Sequence, residues 1–317
     1  MRSEISKLPL IFLERLKKIL PTGKFDQVAN TFTDTKPTTF RVNLLKAGSI
    51  QSVHEELERK GFRLEPVHWC PEAFILRSGR LRELQETEIY KGGKIYAQSL
   101  PSMLPPIILD PKPGELILDL AAAPGSKTTQ MAAMMRGNGK LIAVDNNKIR
   151  FYRLKANLEL QGARHVEAML SYGESIGRKY PEYFDKILLD APCSSESRFD
   201  VNEPASFKYW KPAKVHEMAY KQKKLFFSAV TALKLGGVLV YSTCTFAPEE
   251  NEAVLDAVLK KFQGAIALED IHIPIPNRMT GILTWGKESF DPSVRKAVRI
   301  IPTSEMEGFF IAKLRKQ

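Results

Sequence analysis

The chain has 317 residues, of which 44% are hydrophobic and 9% aromatic, and a formal net charge of +11. That length suits two domains, or one large domain with an appendage, and the apolar content excludes low-complexity disorder over most of it. No apolar run reaches the roughly 18 residues a membrane span needs. The opening Met1-Arg-Ser-Glu-Ile-Ser-Lys7 lacks the apolar stretch and cleavage site of a secretory signal, so a soluble, cytoplasmic protein is expected.

Lys and Arg total 47 against 36 Asp and Glu. A positive field of this size favours polyanions such as nucleic acid. The three cysteines, Cys70, Cys193 and Cys244, are too scattered for a disulfide framework, and five histidines without ligand spacing give no expectation of a metal.

In chain order, Pro9–Leu20 carries Phe12, Leu13, Leu16, Ile19 and Leu20 at helical spacing and ends at Pro21-Thr-Gly23. A short helix is predicted over Phe25–Phe32. The β-rich run from Thr38 to Leu45, a helix over Ser49–Lys60, an extended stretch from Gly61 and the strand Phe74–Arg77 give a βαββ order. Residues 1–91 are therefore expected to form a small α+β module of a kind that often binds RNA. From Gly92 to the end, residues 92–317, strands alternate with helices. Leu116–Leu120, Lys140–Val144, Phe184–Leu189 and Val238–Tyr241 read as buried strands. Thr128–Met135, Lys148–Leu160 and His216–Leu235 read as helices. This pattern implies an α/β domain whose parallel sheet is covered on both faces, with ligands bound beyond the carboxyl ends of its strands.

The loop Asp119-Leu-Ala-Ala-Ala-Pro-Gly-Ser-Lys-Thr128 joins the first of these strands to a helix. It is neither a dinucleotide fingerprint nor a phosphate-binding P-loop. Ala121, Ala122, Ala123, Pro124, Gly125 and Ser126 form a turn of small residues that lets backbone approach a ligand, while the helix start presents free N–H groups. S-adenosylmethionine suits such a site through its carboxylate. Asp145, ending the second strand, is placed to accept ribose hydroxyls.

Asp190-Ala-Pro-Cys193-Ser and Ser242-Thr-Cys244-Thr follow two further strands, which puts both thiols on the ligand side of the sheet. Cytosine explains the use of such groups. Its C5 is a poor nucleophile until a thiolate adds to C6 and pushes electron density onto it. An acid near N3 would stabilise the ring charge, and Asp190 is expected to serve after burial raises its pKa. The base must be unpaired or flipped to reach such a pocket. Residue types and spacing leave open which thiol attacks.

At these residues the chain resembles the Nol–Nop–Sun family of RNA cytosine-5 methyltransferases. The likeness also covers Phe40-Arg-Val-Asn-Leu44, Tyr96-Ala-Gln-Ser99 with Ser102-Met-Leu-Pro105, Glu249-Glu-Asn-Glu252 and Glu307-Gly-Phe-Phe-Ile-Ala312, in the family's order along nearly the whole chain. Within the family it runs to bacterial 16S ribosomal RNA enzymes of the F type, which carry a further C-terminal RNA-binding region not found in this sequence.

The resemblance implies a Rossmann-like, S-adenosylmethionine-dependent methyltransferase domain behind a small RNA-binding domain. It implies a monomer that binds no metal and acts on ribosomal RNA or, alternatively, transfer RNA. It also divides the thiols. Cys244 is implied as nucleophile and Cys193 as the group that helps release product, whereas DNA cytosine-5 enzymes attack with a Pro-Cys thiol. By the same likeness Asp190 contacts both base and methyl donor, Lys127 borders cofactor and substrate, and Arg150 lies on the cofactor side.

The sequence departs from the family at two places. Tyr172-Gly173 stands where Asp-Gly usually contacts adenine, so Tyr172 is expected to stack on the ring or to donate a different hydrogen bond. Ser194-Ser-Glu-Ser-Arg198 stands where Ser-Gly-x-Gly is frequent. The stretch Lys208-Tyr-Trp-Lys-Pro-Ala-Lys214, with Lys221-Gln-Lys-Lys224, reads either as an RNA groove edged by stacking residues or as a solvated helix face. Arg41 and Arg77 are expected to extend that surface. A different class of reading is an RNA-binding assembly factor without turnover, which the intact Lys127, Asp190, Cys193 and Cys244 argue against.

Overall fold

The computed structural model describes residues 2–317; Met1, the first residue of the segment read for a secretory signal, lies outside them. Two sheets organise the chain. The first contains β1 (Thr39–Val42), β2 (Leu64–Val67), β3 (Cys70–Leu76) and β4 (Ile95–Ala97) in the order β2-β3-β1-β4, all antiparallel. The helix Ile50–Arg59 covers it. Ser49 caps that helix by accepting from the Ser52 N–H at 3.0 Å, and Val53 and Leu57 pack on Phe40, Phe74 and Leu76. The sheet takes its fourth strand from beyond residue 91.

The second sheet holds β5 (Leu116–Asp119), β6 (Lys140–Asp145), β7 (Val166–Leu170), β8 (Phe184–Asp190) and β9 (Leu233–Thr243). They lie in the parallel order β7-β6-β5-β8-β9. Beyond them come β10 (Ile266–Glu269), β11 (Arg278–Thr280), β14 (Val298–Ile300) and β15 (Phe309–Lys316), with β12 (Thr284–Trp285) and β13 (Glu288–Ser289) as a separate hairpin. β15 runs antiparallel to β9, pairing Phe310 with Thr243 and Arg315 with Val238.

Both faces of this sheet are buried, as unbroken apolar strands require. Ile117, Leu141, Ala143 and Val240 pack beneath the helices Leu100–Leu109, Ser126–Met134 and Lys148–Leu160. Their strand neighbours Leu118, Ile142, Leu239 and Tyr241 face Pro212–Ala232 and Glu252–Lys261.

Local physics moves several predicted boundaries. The long helix begins at Pro212, because proline's fixed φ and missing N–H suit the first helical position, and it stops at Ala232. Gly236-Gly237 then lies inside β9. β7 is an edge strand with only half-buried or exposed residues, so it lacks the continuous apolar run that marks its neighbours.

The N-terminal helix Leu10–Ile19 presents the expected apolar face, but it packs on the part of the chain that carries the second sheet. Phe12 and Leu16 join Phe32, Phe199, Val201 and Phe246, and Arg15 binds Glu249 at 2.6 Å. Arg41 is buried too. It donates to Gln98 at 2.8 Å, Thr129 Oγ1 at 2.6 Å and the Ser126 carbonyl at 3.1 Å, and burial lowers its pKa to about 10. It docks the small sheet onto the first turn of Ser126–Met134, so the expectation of an RNA-facing Arg41 fails. Arg77 is held between Glu65 and Glu305, which takes its charge out of any free basic surface.

Among the described residues no helix is long and apolar enough to cross a membrane, and no group of three or more His, Cys, Asp or Glu is arranged to hold a metal ion.

Candidate active site

β5 and β8 are neighbours whose chain connections leave in opposite directions, β5 toward β6 and β8 toward β9. Such a switch point opens a crevice at the carboxyl ends of the strands. Here it holds a cavity of about 810 Å³. Ala121, Ala122, Ala123, Pro124, Ser126, Lys127, Asp145, Arg150, Tyr172, Asp190, Cys193 and Cys244 all line it. Of the site residues expected from the sequence, only Gly125 is absent from the wall. Its φ of +106° starts the helix from behind the loop, and a Cβ there would come within 2.9 Å of Leu154.

The loop end of the cavity is built from backbone. The Ala122 N–H donates to the Val144 carbonyl at 2.8 Å, and the Ala123 N–H to Asp145 at 3.2 Å. Asp145 is buried, also accepts from the Asn147 N–H at 2.9 Å, and lies 3.5 Å from Arg150. Arg150 reaches back to the Ala123 carbonyl, so it braces the loop.

Asp119 is fully buried at the head of the same loop and accepts from Thr128 Oγ1 at 2.7 Å, while its other oxygen, Oδ1, has no partner. Burial raises its pKa to about 7. Asp119, a cavity-lining residue with one carboxylate oxygen unpaired, and Asp145 at the end of β6 fit the α-ammonium and ribose hydroxyls of S-adenosylmethionine. In the sequence Asp119 reads only as the start of the loop. Its open valence is visible only in the fold.

Tyr172 is 70% exposed at the cavity rim. Gly173 beside it allows close approach, since a Cβ there would stand 2.6 Å from Leu225 and 3.2 Å from the Leu120 carbonyl.

At the other end the side chains bind one another. Lys127, almost wholly buried, donates to Asp190 at 2.7 Å and to Ser102 Oγ at 2.7 Å, and its ammonium lies 5.7 Å from the centre of the Phe309 ring. Asp190 also accepts from Ser242 at 2.7 Å. The carboxyl group expected to serve as a buried acid is only partly buried and is held in an ion pair with Lys127. Gln98 donates to the Ser102 carbonyl and to Gln130, which explains the Tyr96–Ser99 and Ser102–Pro105 matches as the support beneath Lys127.

The two thiols lie 3.2 Å apart, sulfur to sulfur. The hydrogen bond from Cys193, the Arg198 charge and Ser195 together lower the Cys244 pKa to about 6, while the same bond and burial push the Cys193 thiol up. Both effects run in the direction that favours loss of the proton from Cys244 before Cys193. Cys70, the third cysteine, sits in β3 with its pKa raised to about 12 by burial.

Behind the thiols, Glu250 accepts from the Ser194 N–H and Gln222 at 2.9 Å each and from the Ser194 hydroxyl. Glu196 accepts from Thr245 Oγ1 at 2.9 Å, the Phe246 N–H at 3.0 Å and Trp210 Nε1 at 3.1 Å. These two buried carboxylates clasp the Pro-Cys loop to the Thr-Cys loop, and burial raises both pKa values, that of Glu250 to about 7. Trp210 is thus a structural residue. Tyr209 and Tyr220 are 78% and 61% exposed and lie beside Lys208 and Lys224.

Fold and site together define a methyltransferase-type α/β domain that brings two thiols to a nucleoside-cofactor cavity. Two family models match, "16S rRNA methyltransferase RsmB/F" over residues 106–315 and "N-terminal domain of 16S rRNA methyltransferase RsmF" over residues 8–100. The chain is 39% identical to a tRNA (cytosine(49)-C(5))-methyltransferase of Pyrococcus abyssi, over 99% of this chain and 98% of that protein. It is 36% identical to the ribosomal RNA small subunit methyltransferase F of Vibrio campbellii, over 98% of this chain but 63% of that longer protein. A solved methyltransferase homologue from Pyrococcus horikoshii superposes with a TM-score of 0.85 at 32% identity, covering 100% of both chains. The chain belongs to the RsmB/F family of S-adenosylmethionine-dependent RNA cytosine-C5 methyltransferases.

Proposed function

We propose that the chain forms 5-methylcytosine in RNA with Cys244 as nucleophile and Cys193 as the releasing thiol. The observation that carries this reading is the pair of sulfurs 3.2 Å apart, in one cavity with the Lys127–Asp190 pair.

The Cys244 thiolate adds to C6 of an extruded cytosine, while Asp190, fixed by Lys127 and Ser242, accepts from the amino edge of the base and the Lys127 ammonium beside it offsets the negative charge that develops on the ring. Bound S-adenosylmethionine supplies the methyl group to C5. Its holders are the Ala121–Ser126 loop with Asp119 and Asp145, and Arg150 and Tyr172 at the rim. After transfer a bound water takes the C5 proton, the freed electron pair restores the C5–C6 double bond as the C6–sulfur bond breaks, and the Cys193 S–H hydrogen-bonds to the Cys244 thiolate as it leaves.

Residues 1–91, extended by β4, act as the RNA-binding part, and residues after β4 as the methyltransferase part. The protein works as a cytoplasmic monomer. Ribosomal RNA is the first substrate reading, supported by the two family models. Transfer RNA is the second, favoured by the relative matched along almost its full length.

The test is transfer of labelled methyl to unmodified ribosomal and transfer RNA by wild type, Cys244→Ala and Cys193→Ala. Wild type labels one pool, Cys244→Ala loses at least a thousandfold in rate, and Cys193→Ala accumulates a covalent RNA–protein adduct. An active Cys244→Ala enzyme overturns the assignment of the thiols.

A further inference from the structure

Ser195 follows the Pro-Cys loop with φ +59° and ψ +30°, in the left-handed region. Residues with a Cβ rarely occupy it, and where they do at a site the strain is kept for a purpose. Among the described residues the other non-glycines with positive φ are Asp110, Arg136 and Glu182, none of which lines the cavity. The Ser195 hydroxyl lies 3.6 Å from Cys244 Sγ and 4.0 Å from Cys193 Sγ. Among the described residues it is the hydroxyl within 4.0 Å of both sulfurs. Glycine would fit this backbone without strain but would leave the thiols without that donor.

We infer that Ser195 is a catalytic residue whose hydroxyl donates to the Cys244 thiolate, holding the nucleophile charged and aimed until it bonds to carbon. With the thiol protonated, the Cys244 S–H donates to Ser195 Oγ and the Ser195 hydroxyl donates to the Cys193 carbonyl at 3.5 Å; loss of the thiol proton turns the hydroxyl to the sulfur. Arg198, three residues on in the same turn, lines the cavity as well and supplies the nearby positive charge. The other charged or titratable groups around Cys244 are Cys193, Asp190 with its partner Lys127, and Glu250 behind Cys193; Glu307 faces Arg198.

This inference rests on Cys244 being the nucleophile, and its test separates the two. Alkylation of Cys244 by iodoacetamide is followed across pH 5–9 by mass spectrometry of the Cys244 peptide, with no RNA present, in wild type, Ser195→Gly and Ser195→Ala. Ser195→Gly relieves the backbone strain, so its thermal midpoint stays at or above that of wild type. Its alkylation nonetheless slows about fivefold at pH 6, which is a rise of about one unit in the midpoint, and recovers by pH 9. Ser195→Ala slows equally. Methyl transfer by Ser195→Gly shows the same displacement of its pH profile. An unchanged alkylation profile in Ser195→Gly overturns the inference, as does slowing that persists at pH 9, which would report altered access. Methyl transfer by Cys244→Ala would overturn the nucleophile assignment while leaving the effect of Ser195 on the thiolate measurable.

Discussion

The two ends of the cavity are built by different means. Around β5 and β6 the ligand-facing surface is backbone and methyl groups, braced by Asp145 and Arg150. Around β8 and β9 it is a web of side chains, in which Lys127, Asp190, Ser242, Glu196 and Glu250 hold two loops and two sulfurs in register. Binding through backbone tolerates exchange of a rim side chain, and Tyr172 stands exposed at that rim. A web in which each polar group completes another tolerates little, because a buried group left without its partner bears its full desolvation cost.

The largest effect is expected where the two ends meet. Lys127→Ala leaves Asp190 without its cation and should destabilise the protein by about 3 kcal/mol in urea denaturation, with methyl transfer lost. A loss below about 1 kcal/mol would mean that water serves Asp190 equally well. Arg41→Met removes three hydrogen bonds at the docking of the small sheet and should cost about 2 kcal/mol, yet leave the alkylation profile of Cys244 unchanged. A shifted profile would show that the thiol web extends into the N-terminal sheet.

A pH effect distinguishes the ends next. Asp119 and Glu250 have folded pKa values near 7, above the ordinary carboxylate values they regain on unfolding. Between about pH 4 and pH 7 these two groups therefore hold more protons in the folded state, and their contribution to stability declines as pH rises. Asp119→Asn and Glu250→Gln should each flatten that decline, by up to about 1.4 kcal/mol per pH unit, in thermal melts run across this range. Cofactor affinity should suffer in Asp119→Asn and be nearly unchanged in Glu250→Gln. Equal losses in both would break the division between the ends.

The smallest effect is expected at the rim. Tyr172→Asp should leave stability within about 0.5 kcal/mol and tighten S-adenosylmethionine binding about fivefold by calorimetry, the worth of one added hydrogen bond.

Much of this is legible in one dimension. Strand ends are read from apolar runs that stop at Leu120, Val144, Leu189 and Tyr241, within one or two residues of the strand ends in the fold, and a parallel sheet places the loops after those residues on one side. The small-residue loop and both cysteines are located in that way. Arg41 defeats the same approach, because a basic residue in a β-rich segment looks the same whether it faces solvent or a helix start. Trp210, between two lysines, has the look of an RNA-stacking residue, and its bond to Glu196 spans an irregular turn that no periodicity encodes. The N-terminal helix shows its apolar face plainly, but nothing local names Phe199 and Phe246 as its partners.

The sequence by itself determined the α/β order, the side of the sheet on which chemistry occurs and the residue types available there, because these depend on periodicity and strand ends. The tertiary structure alone decided that the two thiols touch, that Asp190 is paired with Lys127, and that Asp119 has one carboxylate oxygen without a hydrogen-bond partner. Those properties depend on distances of a few ångströms between residues about 50 to 70 positions apart, such as Cys193 and Cys244 or Lys127 and Asp190. Electrostatic interaction falls with distance and rises with burial, and neither is set until the chain has folded.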